Sequence, residues 1–182
     1  MKKINLFLLP ILIILAIGGS WFALRAQPTP KATVNQTKLK PKPSYQPLTK
    51  AELNHNSKLT DCSIVYYAIK HSKIQRWQEV SNFDLGWQLD QYPIDNGIKV
   101  LVWPDMAIKK DAKLVQPNWF YLSTTGQVIY HSFIVHSFRD DMTETTDLET
   151  IIKTLNNEHA AMKIRQMLPN TLIVKHKNPA SN

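Results

Sequence analysis

The chain reads as α+β: one small domain with an antiparallel sheet of three to five strands packed by N- and C-terminal helices, after one N-terminal transmembrane helix. Three observations predict this. Ile4 to Leu24 is an uncharged run interrupted only by Asn5, Pro10, Gly18, Gly19 and Ser20. Beyond it, apolar residues recur at helical spacing on both sides of a middle stretch where they alternate. Helices, an antiparallel meander and helices again form a layered fold with the helices on one sheet face.

Ile4 to Leu24 directly follows Met1-Lys2-Lys3. At about 1.5 Å rise per residue it makes a helix about 31 Å long, matching the hydrocarbon core of a bilayer. The alternative is a removed secretory signal, with Ala16-Ile17-Gly18 as a small-x-small cleavage pattern and Leu24-Arg25-Ala26 as a poorer one. The apolar run continues through Trp21-Phe22-Ala23-Leu24, past the first of these, which favours retention as an anchor. Cys62, the single cysteine, lies too far downstream to carry a lipid behind the leader. Lys2 and Lys3 favour an inner amino terminus, whereas Arg25, Lys31, Lys38, Lys40 and Lys42 oppose it on a literal positive-inside count. A short lysine tail leading straight into an apolar run is what export machinery reads. The domain is therefore expected outside the cell membrane, or secreted if the leader is cleaved.

From Gln27 to about Pro47 the chain carries prolines at 28, 30, 41, 43 and 47 among Thr, Lys, Gln and Asn. Such a stretch buries too little surface to order itself, and at about 3.1 Å per residue it reaches on the order of 60 Å. The division is residues 1–25 as anchor or signal peptide, 26–47 as disordered tether, 48–176 as the globular domain and 177–182 as a disordered tail.

The formal net charge is +8. Lys2, Lys3, Arg25, Lys31, Lys38, Lys40, Lys42 and Lys50 precede Ala51, and all 14 acids follow it, opposite the remaining 14 bases. The basicity belongs to the tether, and a neutral domain lacks the footprint of a nucleic-acid binder. Lys31, Lys38, Lys40 and Lys42 suit anionic lipid head groups or an anionic wall polymer, or else simply keep a spacer solvated. One cysteine excludes an internal disulfide, so the domain must be held by its core. Cys62, Val65, Tyr66 and Ile69 recur at i, i+3, i+4 and i+7, which makes the thiol a buried hydrophobe rather than a nucleophile.

Thr49-Lys50-Ala51-Glu52 fits a capping box, though Asn54, Asn56 and Ser57 weaken the helix behind it. Thr60 or Asp61 is expected to cap a stronger helix to about Lys70, followed by a short amphipathic piece, Ile74 to Val80. Trp87 to Tyr92 is a strand, Asp95-Asn96-Gly97 a hairpin turn, and Ile98 to Trp103 the best strand, ended by Pro104. Asp105 to Pro117 is charged and irregular. Asn118 to Thr124 and Gln127 to Phe138 make the next hairpin across Thr125-Gly126. Thr146-Asp147-Leu148-Glu149 is a second capping box, opening a helix striped by Leu148, Ile151, Ile152 and Leu155. A further helix, Glu158 to Leu168, stops at Pro169, and Thr171 to Lys175 is a last strand or extended closing segment.

Chemical signatures are sparse. Five glycines cannot build a phosphate loop, and G-x-S-x-G, H-E-x-x-H, C-x-x-C and calcium-loop spacings are absent. His131 and His136 would lie on opposite faces of one regular strand, so no metal site is expected; no cofactor is implied either. Asp140-Asp141 reads as solvated, so no catalytic residue is assigned. The aromatics are the most suggestive group. Trp87, Trp103, Trp119 and Tyr121 are the candidate ligand-binding residues, as platforms for sugar rings or a peptide, against the plainer reading that they fill the core.

Leu59-Thr60-Asp61 opening a helix with Tyr66-Tyr67, the hairpin Trp119 to Leu122 with Gly126 to Tyr130, and the run Asp147 to Lys153 leading to Thr171 to Val174 together carry a likeness. Over about residues 59–175 the chain resembles a family of small cell-envelope domains of lactic-acid bacteria, many of them lipoprotein-like. The resemblance implies an envelope location and no particular activity; this chain lacks the lipidated cysteine. The expected function is a membrane-anchored, extracytoplasmic, non-enzymatic binding or accessory module. Its partners would be the bilayer through residues 4–24, and a wall polymer, a peptide or an envelope protein. The alternatives are an envelope hydrolase using His131 or His136 with an acid, and a cytoplasmic-facing membrane-tethered adaptor.

Overall fold

The computed structural model describes residues 44–113, 116–132 and 142–177. The predicted span at 4–24, the tether lysines 31, 38, 40 and 42, His136 and Asp140-Asp141 lie outside the described residues. Among the described residues no helix is long and apolar enough to cross a membrane.

The chain is already pinned to the domain at Tyr45, whose hydroxyl donates to Asn156 O at 3.2 Å. Helix α1 (Lys50–His55) opens as predicted, with Thr49 Oγ1 accepting from Glu52 N at 3.1 Å. The reciprocal half of the box does not form, because Glu52 pairs with Arg165 at 2.8 Å. Helix α2 (Ser57–His71) begins earlier than predicted. Asn56 ends α1 by donating to Leu53 O and caps α2 by accepting from Leu59 N. The polar residues that looked like helix weakeners are a junction between two helices, and Thr60 and Asp61 lie inside α2 rather than at its cap. From Leu59 to Ile69 only Tyr67 escapes burial, since α2 has the sheet beneath it and α1, α3 and α4 around it. Cys62 is buried with the rest, and burial first of all pushes its thiol up to about 11.

The sheet departs from expectation in size and direction. It has six strands, not three to five, and it is mixed rather than purely antiparallel. In the meander, β1 (Trp87–Ile94), β2 (Gly97–Trp103) and β3 (Asn118–Ser123) match the predicted strands closely, and β4 (Gln127–Ser132) is the first half of the strand expected over Gln127 to Phe138, whose residues 133–138 lie outside the described residues. At the first hairpin Asn96 takes the positive φ, at 61°, so the turn is Asp95-Asn96. The unforeseen strand is β5 (Met142–Asp147), an edge strand of Thr, Glu and Asp with no apolar alternation to announce it. It runs directly into α3 (Leu148–Asn157), so Asp147 rather than Thr146 is the cap, accepting from Thr150 N at 2.8 Å. Helices α3 and α4 (Ala161–Met167) carry the chain from one edge of the sheet to the other. The last strand, β6 (Thr171–Lys175), therefore arrives beside β1 and parallel to it, as a crossover requires. The order is β5-β4-β3-β2-β1-β6.

Alternation assigns the two faces. Trp87, Leu89 and Gln91 share a face with Val100, Val102, Phe120, Val128 and Tyr130, by register. That face carries the helices and the core, which also takes in Trp77, Ile151, Leu155 and Ile164. Tyr130 ties the layers together by donating its hydroxyl to Ile64 O at 3.0 Å. Gly86 permits the parallel pairing: its φ is 70°, and any Cβ there would overlap the carbonyl oxygen of Asn170, just before β6.

Candidate functional site

The predicted aromatic residues separate onto the two faces. Trp87 belongs to the core and donates its indole N–H to Val80 O at 2.8 Å. Trp103, Trp119 and Tyr121 lie on the other face, by register. There Trp103 is only 7% exposed: its indole donates to Asp90 Oδ2 at 3.1 Å, and Lys113 Nζ sits 5.0 Å from its ring. Trp119 stacks on His131 with ring centroids 3.5 Å apart, and Lys99 Nζ lies 4.2 Å from the same ring. Tyr121 donates to Asn96 O at 2.8 Å. The structure thus brings three of the four residues to one face and occupies the two indoles with neighbours, so neither lies bare as a flat platform.

Asp90 anchors this face. Burial acts to raise its pKa, but hydrogen bonds from Gln88, Lys113 and Trp103 and the Lys113 charge hold it below the ordinary carboxylate value. It is a fully engaged carboxylate that straps the loop after β2 across the sheet. A cavity of about 190 Å³ beneath that loop has Trp103 in its wall.

The larger feature lies on the helical face, at the end where α2 begins. A cleft of about 740 Å³ opens there between α1, the first turn of α3 and the β3–β4 turn, Ser123 to Gly126. Its walls are Leu53, Ile98, Leu122, Leu148 and Ile152, and its rim carries Lys50, Asn54, Ser57, Asp147 and Glu149. That volume suits a small ligand or a short peptide, and apolar walls with a few fixed polar groups are what such sites contain.

Three polar residues converge at the base: Asp61 from α2, Gln91 from β1 and Lys175 from β6. Gln91 and Lys175 are Cα partners in the parallel pair, so both point to the helical face. Gln91 Nε2 donates to Asp61 Oδ2 at 2.5 Å. Asp61 is 2% exposed, and burial raises its pKa from 3.8 to about 7, against the Gln91 hydrogen bond and the charge of Lys175. Carboxyls shifted this way by burial in a cleft are frequent at functional sites and also occur in purely structural networks. Three of the cleft's hydroxyls are engaged elsewhere: Thr60 donates to Leu53 O at 2.8 Å, and Ser123 and Thr125 share a 2.8 Å hydrogen bond.

Sequence reasoning missed this group, although a signal was present. Gln91 holds the inward position after Trp87 and Leu89 in an alternating strand. Asp61 shares a helix face with Ile64 and Val65, three and four residues on. A polar residue where the period calls for an apolar one is the readable sign, though Asp61, like Thr60, also fits a helix cap by residue type.

Neither the large cleft nor the smaller cavity is lined by a histidine or cysteine. His131 lies on the opposite face, and among the described residues no cluster of metal ligands occurs. Comparison of the chain with protein-family models, with curated proteins and with solved structures gives no match.

Proposed function

We propose that this protein is a non-enzymatic binding module of the cell envelope, held at the outer side of the membrane by residues 4–24, that takes its ligand in the cleft above Asp61 and Gln91. The observation that carries the reading is the cleft itself: about 740 Å³, with apolar walls and a buried carboxyl–amide pair at its base. The same carboxyl would serve a general base. Against catalysis, none of the cleft's hydroxyls is hydrogen-bonded to Asp61, no histidine or cysteine lines the cleft, and the adjacent Cys62 is buried with its thiol pushed up to about 11. The resemblance to envelope domains and the apolar leader support the location. The tether lysines 31, 38, 40 and 42 then lie where they meet lipid head groups or wall polymer.

The test is to titrate a soluble wall digest into the isotopically labelled full-length chain. Amide shifts should cluster at Ser123 to Gln127 and at Leu148 to Ile152, and Ile152→Trp, which fills the cleft, should abolish them. Shifts confined to Trp119, Tyr121 and His131 would move the site to the opposite face and overturn the proposal.

A further inference from the structure

The base of the cleft has a polarity that narrows the ligand, and this step rests on the cleft being the binding site. Gln91 is 4% exposed and spends its amide nitrogen on Asp61 Oδ2. Its own oxygen Oε1 and the second carboxyl oxygen, Asp61 Oδ1, accept no hydrogen bond from any described residue. Two acceptors on residues only 2% and 4% exposed are left at the foot of a cleft, each still touched by solvent from the cleft side. An unmade hydrogen bond on such a group is costly, so the group that fits must donate more than once.

We propose that the cleft selects ligands carrying a primary ammonium group, such as the free amino terminus of a short peptide, seated between Asp61 Oδ1 and Gln91 Oε1. An ammonium supplies three donors, and its hydrogen bonds to a carboxylate are charge-assisted, about twice as strong as neutral ones. A ligand carboxylate is excluded from the same spot by Asp61 but has Lys175 close by, so a peptide chain is accommodated with both its charges answered. The other charged groups facing this region are Lys50 on α1 and Asp147 and Glu149 at the start of α3. With Lys50 facing Asp147 and Glu149, the rim carries one net negative charge, which favours a cation and adds to the choice made by Asp61 at the base of the cleft.

Proton binding and ammonium binding then compete for Asp61. Its pKa near 7 means that between pH 5.5 and 7.5 the ionised fraction rises from a few per cent to most of the population. Affinity for an ammonium should rise about 20-fold over that interval.

The experiment compares alanyl-alanine with N-acetyl-alanyl-alanine on the labelled full-length chain, reading shifts at the cleft residues against pH. The expected result is that the free amine binds at least tenfold more tightly at pH 7.5, weakens as pH falls, and loses its advantage in Asp61→Asn. Gln91→Met, which removes the second acceptor together with the amide donor to Asp61 Oδ2, should weaken the free amine several-fold and leave the acetylated peptide unchanged. Equal binding of both peptides overturns the ammonium assignment while leaving the cleft as the binding site. Tighter binding of the acetylated peptide at low pH also overturns it, by making Asp61 a donor. If neither peptide moves a cleft resonance at millimolar concentration while the wall digest does, the ligand class is wrong and the site is right. If the digest fails as well, both are wrong.

Discussion

Asp61 shows how much one residue's setting matters. In the unfolded chain its pKa is the ordinary 3.8, and in the folded protein burial lifts it to about 7. Between those values the folded form holds a proton that the unfolded form has released, so stability falls as pH rises through the window and levels off above it. The size is bounded by about three units at about 1.4 kcal/mol each, or about 4 kcal/mol. Asp61→Asn removes the titration while keeping the shape. It should therefore match the parent near pH 4 and exceed it by about 2–4 kcal/mol at pH 8, in urea unfolding followed across pH. A variant no more stable than the parent at pH 8 would show that the carboxyl is not desolvated as described. The ionised carboxyl is a liability for the fold, and the proposed ligand would offset it by pairing with that charge.

At the scale of elements, one side chain links α4 to α1 and to the segment before it. Arg165 of α4 takes Glu52 of α1 through two nitrogens and also donates to the carbonyls of Gln46 and Pro47. It thereby fixes α1 and the segment before it, which form one wall of the cleft. Both partners are partly solvated, so the ion pair itself contributes little. The backbone hydrogen bonds add more, and Arg165→Met should cost about 1–2 kcal/mol overall. Thermal unfolding measures the loss, and limited proteolysis should newly cut the chain before Thr49. Unchanged resistance there would mean that Tyr45 and Leu48, bonded to Asn156, hold the segment alone. The element that escaped sequence reading, β5, has the same lesson. MTETTD is an edge strand whose residues are largely exposed, so no face had to be apolar, and without an apolar face there is no period to detect. The neighbouring helix was readable because Ile151 and Leu155 must be buried.

For the whole molecule, the proposed topology carries a direct expectation. Protease added to intact cells should remove the domain while leaving cytoplasmic proteins whole; survival until lysis would place it inside. Recovery of the chain from culture medium, beginning near Gly19 or Gln27, would show a cleaved leader rather than an anchor. The route of the chain through the domain explains why the cleft exists at all. Six strands make a broad sheet, and α2 with its neighbours covers most of one face but not the end bounded by the β3–β4 turn and the start of α3.

The sequence by itself determined the α+β class, the meander from Trp87 to Ser132, the helices around Ile64 and Ile151, and the burial of Cys62. Each of these is set by local period and burial, which neighbours along the chain are enough to express. Only the tertiary structure decided that β6 returns parallel to β1, that Trp103 and Trp119 are taken up by neighbours, and that Asp61, Gln91 and Lys175 meet. Those three residues are separated by 30 positions and more, and nothing local records the crossover through α3 and α4 that brings the last of them beside the first two.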